Sequence, residues 1–191
     1  MAFASSISND ELALLPAAQF DGDIVVVDTE PALVEACRYL SQQHVLGFDT
    51  ETRPSFKVGV SYKVALLQLS TYDRCYLIRL CNVKPVQKLI SILQRSDIVK
   101  IGTDVTGDIR SLSKLRRFTP RGFVDLQNEV AKVGIADRSL RKISGIVLGR
   151  KVSKAQRLSN WEAQSLTQQQ KIYAATDAWV CLKIYDKLQT A

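Results

Sequence analysis

The sequence predicts an α/β domain built on a mixed central sheet flanked by helices. Three observations carry this. Short runs of β-branched and aliphatic residues in the first part of the chain read as strands. Two of them, Lys63 to Leu69 and Cys75 to Leu80, are separated by little more than the Asp73-Arg74 turn. A connection that short joins antiparallel neighbours. Beyond residue 84, apolar residues recur at helical spacing between short strands, and the last third is mostly helical. Strands first, then alternation, then helices is the order of an α/β chain with a mixed sheet.

Taken in order, residues 1–22 read as an N-terminal arm and 23–191 as one domain, with no internal repeat, low-complexity tract or long linker. The arm holds a short apolar stretch, Leu12 to Ala18, interrupted by Pro16. Ile24 to Val27 is a β-branched run, hence a strand. Leu33, Ala36, Cys37 and Leu40 then fall on one face of a helix over 30–43. Val45 to Phe48 is a buried-strand signature with the polar exit Asp49-Thr50-Glu51, and Pro54 helps end it because proline offers no ladder donor. Residues 52–61 read as a loop. Lys63 to Leu69 is almost continuously apolar, as in a strand covered on both faces.

Pro85 to Leu93 predicts a helix with proline in its first turn. Ile98 to Ile101 predicts a strand, and Val105, Ile109 and Leu112 mark a helix running to about Arg117. Phe123 to Leu126 has the composition of a short strand. Helices follow over 126–133 and 139–148, each ending at a glycine, Gly134 and Gly149. Thr167 and Gln170 have capping-box spacing and open a last helix reaching Leu188.

The composition bounds the chemistry. The 191 residues include 26 Lys+Arg against 19 Asp+Glu, a net charge of +7, and one histidine. The basic balance leans toward anionic partners, nucleic acid first. With His44 alone, no zinc site of several histidines can be built within the chain. His44 itself falls at an element boundary. No phosphate-binding glycine loop of either common type is present. The four cysteines form no C-x-x-C pair and read as buried thiols of a reducing compartment. Met1 to Asn9 has no signal-peptide pattern, and no apolar run approaches the ~20 residues of a membrane span. An intracellular, cytoplasmic protein without membrane contact is the expectation.

Several acids stand out. Asp49 and Glu51, two residues apart on a strand, share one face of the sheet. Two such carboxylates either run into solvent at the strand end or are neutralised by a divalent cation, for which oxygen ligands suit Mg²⁺ or Mn²⁺. Asp177 sits among apolar residues of the last helix, with Tyr173 one turn before it. The pair is either structural or part of a cleft. Asp104 and Asp108 open the helix after Gly102, where the helix dipole favours acids. Spacing alone does not choose between them.

In chain order these acids resemble a known constellation. Phe48-Asp49-Thr50-Glu51 is similar to the first exonuclease motif of the DEDD superfamily of 3′–5′ exonucleases. Lys100 to Asp108 resembles the second motif, and Tyr173-Ala-Ala-Thr-Asp177 has the Y-x-x-x-D form of the third. Leu158-Ser-Asn-Trp161, with Leu166, Thr167 and Gln170, resembles the approach to that motif in the Werner-type and ribonuclease D-like branch. The likeness spans about residues 23–188.

The resemblance implies a ribonuclease H-like fold, with a five-stranded mixed sheet whose second strand is antiparallel. It implies two divalent cations, Mg²⁺ or Mn²⁺, held by Asp49, Glu51, Asp108 and Asp177, with Asp49 shared between them. Tyr173 would orient the attacking water. In such a mechanism two ions ~3.5–4 Å apart clamp the scissile phosphate. The substrate would be the 3′ end of DNA or RNA. An endonuclease on the same fold and a nucleic-acid-binding domain with weak catalysis are the alternatives.

For the substrate, the candidates are Thr50 between the two acids, Phe56 in the loop that follows, and Arg150, Lys151, Lys154 and Arg157 upstream of the third motif. A second basic cluster, Lys114, Arg116, Arg117 and Arg121, follows the Asp108 helix. Trp161 is either a base-stacking surface or, the preferred reading, a packing residue against the last helix.

Overall fold

A computed structural model describes residues 3–190. Among these residues six strands form one sheet: β1 (Asp23–Val27), β2 (Val45–Thr52), β3 (Val64–Ser70), β4 (Arg74–Arg79), β5 (Val99–Gly102) and β6 (Phe123–Asp125). Their order is β1-β4-β3-β2-β5-β6. β3 is antiparallel to both of its neighbours, and the remaining pairings are parallel. Counted from β2, the second strand is therefore the antiparallel one, as expected. The sheet has one strand more than the expected five, because β1 adds parallel to the outer edge of β4. Its β-branched run Ile24 to Val27 finds a ladder there.

Among the described residues seven helices surround the sheet: α1 (Asn9–Leu14), α2 (Glu30–Leu40), α3 (Gln87–Gln94), α4 (Val105–Leu115), α5 (Leu126–Lys132), α6 (Leu140–Leu148) and α7 (Gln168–Gln189). α2, α3 and α4 cover one face, where Leu33, Leu40, Leu89, Ile92 and Leu112 pack with Leu46, Phe48 and Ile78. α5, α6 and α7 lie on the other, around Ile101, Leu126, Ile143 and Leu182. α3 begins at Gln87, two residues later than expected, because Pro85 and Val86 stay outside the helix. The capping box at the start of α7 forms in full: Thr167 Oγ1 accepts from Gln170 N at 3.2 Å, and Gln170 Oε1 accepts from Thr167 N at 3.0 Å.

The N-terminal arm is packed rather than free. Leu12 and Phe20 are buried. Phe20 N donates to Thr176 Oγ1 on α7 at 3.0 Å, and Ala18 N donates to Lys151 O at 2.8 Å. Three of the four cysteines are buried thiols, but Cys81 is exposed. That corrects the expectation for Cys81, whose apolar neighbours end at Leu80, where the chain leaves β4 for a surface loop. Among the described residues no helix is long and apolar enough to cross a membrane.

One buried cation sets the position of β5. Lys100 is fully buried, and its ammonium donates to the carbonyls of Ile92, Arg95 and Ile98 at 3.2, 2.7 and 2.7 Å. All three donors thus find acceptors, which offsets the cost of burying the charge. The contact anchors β5 to the end of α3, and β5 leads directly into α4.

Candidate active site

The site forms where β2 meets α7. At Gly47 an added Cβ would fall 1.9 Å from Ala178 O, so only glycine lets the helix backbone approach the strand this closely. Alternation along β2 then puts Asp49 and Glu51 on that same face. Asp177, the neighbour of Ala178, meets them from the helix. One carboxylate oxygen from each of Asp49, Glu51 and Asp177 lies within 4.8 Å of the other two. A register shift between Glu51 and Thr52 ends the regular β2–β3 ladder beside them, the kind of irregularity that re-aims side chains near active sites.

Asp108 arrives from the other side of the sheet. Thr50 alternates to the face opposite Asp49 and Glu51, and its hydroxyl donates to Asp108 Oδ1 at 2.5 Å. The start of α4 is fixed by Asp125, a residue that motif reasoning missed. Asp125 Oδ2 accepts from Val105 N at 3.1 Å, and its Oδ1 accepts from Gln127 N at 2.9 Å. One carboxylate thus caps α5 and holds the first turn of α4. The signal was available, since Asp before Leu126 is a common N-cap pattern. Asp104 takes another place. It is exposed, with a left-handed φ of 55°, and its carboxylate lies against Gly107.

The electrostatics are those of like charges held together out of water. Burial first, then the charges of Asp177, Glu51 and Asp108, push the Asp49 carboxyl well above its ordinary range. Burial followed by Asp177 and Asp108 lifts Glu51 to about 9. Burial lifts Asp177 to about 7, with the Tyr173 phenol acting the other way. Asp108 also rises to about 7 through burial, opposed by the Thr50 hydrogen bond and reinforced by Asp104 and Asp125. Asp177 Oδ1 is buried without a hydrogen-bond partner among the described residues. An oxygen-only cluster with an unpartnered buried carboxylate oxygen has the chemistry of a site for a hard divalent cation.

Residues 24–191 match the 3′–5′ exonuclease family. The chain belongs to that family. It is 34% identical over 190 residues to the bifunctional 3′–5′ exonuclease/ATP-dependent helicase WRN of Mus musculus, covering 91% of this chain and 13% of the mouse protein. It is 36% identical over 165 residues to exonuclease 3′–5′ domain-containing protein 2 of Drosophila melanogaster, covering 84% of this chain and 28% of the fly protein. The chain therefore spans less than a third of either relative. The crystal structure of the Aedes aegypti Nibbler EXO domain superposes with a TM-score of 0.83 at 25% identity, covering 91% of this chain and 92% of that one.

In this exonuclease fold the remaining motif residues support the acids. Tyr173 lies one helical turn before Asp177, and its hydroxyl is pushed well above the usual phenol range by burial and by the charges of Asp177 and Glu51. Trp161 is fully buried, its ring centroid 6.0 Å from that of Tyr173. It packs behind the tyrosine and presents no stacking face to solvent. Gln170 Nε2 donates to Asn160 O at 3.3 Å, so the Leu158 to Trp161 block is fastened to the start of α7. Arg79 is buried and donates to the carbonyls of Ala163 and Gln164, securing the same segment over β4.

The other substrate candidates are spread around the site. Phe56 is 83% exposed on the loop after β2. Arg150 donates to Ala17 O at 3.4 Å, and Lys151 donates to Ala13 O, so both reach the N-terminal arm. Lys154 and Arg157 are exposed. A pocket of about 280 Å³ opens beside Tyr173 and Asp177, lined also by Gln19, Gln156 and Gln169.

Proposed function

We propose that the chain is a metal-dependent 3′–5′ exonuclease that releases nucleotides from the 3′ end of DNA or RNA. The observation that carries this reading is the convergence of Asp49, Glu51 and Asp177 within 4.8 Å, with Asp177 Oδ1 unpartnered. Residues 23–191 are its catalytic domain and residues 1–22 an arm. An intracellular, cytoplasmic setting suits a chain with an exposed free thiol at Cys81.

Asp49, Glu51 and Asp177 would hold one Mg²⁺ or Mn²⁺ ion, and Asp49 with Asp108 a second. When bound, such ions neutralise the developing phosphate charge and acidify an attacking water. The chain's own groups do the positioning. Thr50 fixes Asp108. The Tyr173 hydroxyl stays protonated at neutral pH and orients the water by hydrogen bonding rather than removing its proton. Gly47 sets the separation of the two acid-bearing elements. Thr50 lies beside the scissile end, Phe56 contacts the terminal nucleotide, and Arg150, Lys151, Lys154 and Arg157 border the strand's path. No histidine has a part, in keeping with a chain that has only one.

The test is release of labelled mononucleotides from 3′-labelled DNA and RNA oligomers in Mn²⁺ and in EDTA. Immediate release in Mn²⁺ and none in EDTA is expected. Nicking of a circular substrate would show an endonuclease instead. Tight binding without hydrolysis would show a binding domain.

A further inference from the structure

Gln68 is the one polar residue of the run Val64 to Leu69 on β3, where Ala65, Leu66, Leu67 and Leu69 are all buried. Gln68 is itself fully buried, and among the described residues neither its Nε2 nor its Oε1 has a hydrogen-bond partner. A leucine or methionine would fill the same space without leaving two amide atoms unsatisfied. Burying a carboxamide in this way is costly. A polar group so placed points to a partner that it gains in the working protein.

The strand ladder places Gln68 beside the acids. It stands directly opposite Asp49 in the β2–β3 pairing and opposite Leu77 in the β3–β4 pairing. Directly opposed residues of antiparallel strands share a face, with Cβ atoms about 4.5–5.5 Å apart. Leu66, two residues before Gln68 and on the same face, packs with Leu77, Ala174 and Ala175 under α7. Gln68 therefore lies beneath α7, next to Asp49. The other groups around it are already engaged. α7 passes over in mid-helix, where the backbone bonds to itself. The Ser70 hydroxyl, next on the same face, donates to Thr71 O at 2.8 Å. The Cys181 thiol donates to Asp177 O at 3.3 Å. The Asp49 carboxyl is the strong acceptor across the ladder, and a carboxamide N–H is a donor suited to an ionised carboxylate.

We propose that Gln68 is a positioning residue of the acid cluster, its Nε2 donating to the Asp49 carboxylate and fixing how that side chain is turned. The proposal rests on the metal-dependent exonuclease reading, in which Asp49 is the acid shared between two cations. A carboxylate that serves two ions must present an oxygen to each, so its orientation matters more than that of an acid serving one. Partners that orient a ligand in this way tune the affinity of the site without touching the ion. Gln68 reaches Asp49 from inside the core, and its full burial keeps it away from substrate. Thr50 holds Asp108 from one face of the sheet, and Gln68 holds Asp49 on the other.

The test is Gln68→Met, which keeps the length of the side chain and removes both amide atoms, with the shorter Gln68→Leu as a second apolar replacement. Mn²⁺ binding to the metal-free chain is measured by calorimetry. The thermal midpoint is measured with and without Mn²⁺, and kcat and KM on an oligonucleotide that the wild type cleaves. The metal-free variant should be at least as stable as the wild type, because no unsatisfied amide remains. Its Mn²⁺ affinity should fall about ten-fold or more, and the rise in midpoint on adding Mn²⁺ should shrink with it. kcat should fall while KM hardly changes. Unchanged Mn²⁺ affinity in a variant, beside a wild type that binds Mn²⁺ and cleaves, overturns the role of Gln68 alone. So does a loss of metal-free stability or of folding in both variants, which would make the amide a structural group. A wild type that neither binds Mn²⁺ nor cleaves in it overturns the exonuclease reading itself.

Discussion

The Thr50 hydroxyl donates a 2.5 Å hydrogen bond to Asp108 Oδ1, across the edge of β2 from the face that carries Asp49 and Glu51. The residue between two acids of a D-x-E motif is thereby given a function by strand alternation: it cannot join its neighbours, so it holds the acid that approaches from the opposite side. Replacing Thr50 with valine keeps the shape and removes the donor. Partners of this kind typically contribute 10–100-fold to metal affinity or activity. Thr50→Val should lower kcat about ten-fold or more and raise the Mn²⁺ concentration for half-activity, with KM for an oligonucleotide little changed. Thr50→Ser should restore both. A rise in KM at constant kcat would instead put the hydroxyl on the substrate.

The raised carboxyls make the metal-free chain sensitive to pH. Asp108 and Asp177 titrate near 7 and Glu51 near 9 when folded, against ordinary values of 3.8 for Asp and 4.5 for Glu. The folded state therefore holds protons that the unfolded state has already released. This favours folding fully below about pH 4 and is lost as pH rises through 7 to 9. In EDTA, the thermal midpoint should fall between pH 5.5 and 8.5 by roughly 3–10 °C, the equivalent of about 1–3 kcal/mol. Added Mn²⁺ should reverse the fall at pH 8.5, and Asp177→Asn should flatten it. That variant should also be inactive while the metal-free protein is at least as stable as the wild type at pH 8. A midpoint independent of pH and of Mn²⁺ would show that these acids are not held in mutual repulsion.

Tyr173 separates positioning from metal binding. Its hydroxyl stays protonated at neutral pH, and its ring is backed by the buried Trp161. Tyr173→Phe keeps the ring and its packing while removing the hydroxyl that we propose orients the reacting water. A loss of about 100-fold in kcat is expected, the size of a ~1 Å misplacement at a reaction centre. The half-saturating Mn²⁺ concentration should hardly change. A shift in that concentration larger than the shift in kcat would mean that the phenol acts on the metal site instead.

How much of this was readable beforehand depends on what kind of information placed each residue. The strands and helices followed from period and capping, and the Thr167/Gln170 box predicted the start of α7 to the residue. Motif order brought out Asp49, Glu51, Asp108, Tyr173 and Asp177. Contacts made at long separation stayed invisible. The sixth strand pairs β1 with β4, residues some 50 positions apart, and nothing local announces that. Lys63, Lys84 and Lys114 read as scattered surface charges until folding sets them around one cleft. Arg150 and Lys151 look alike as a basic pair, yet both reach carbonyls of the N-terminal arm, because the bridge between Ala17 and Lys151 brings that arm to them. Asp104 and Asp108 were equivalent by spacing. A left-handed turn at Asp104 and a hydroxyl at Thr50 distinguish them.

Gly47 shows how tightly the acid geometry depends on packing away from the acids. The two halves of the acid cluster lie on β2 and α7, and their separation is set where an added Cβ would fall 1.9 Å from Ala178 O. Neither side can yield cheaply, since the clash is with helix backbone and the helix is buried along this stretch. Gly47→Ala must push α7 outward or bend β2, and overpacking of this kind costs about 1–3 kcal/mol or more. Because Asp177 is the next residue on the displaced helix, the movement should carry it away from Asp49 and Glu51. The expected result is a folded protein with a lower thermal midpoint, weaker Mn²⁺ binding and at least ten-fold less activity, although no carboxylate has been touched. Normal metal binding with reduced stability would show that the strand, not the helix, absorbs the strain.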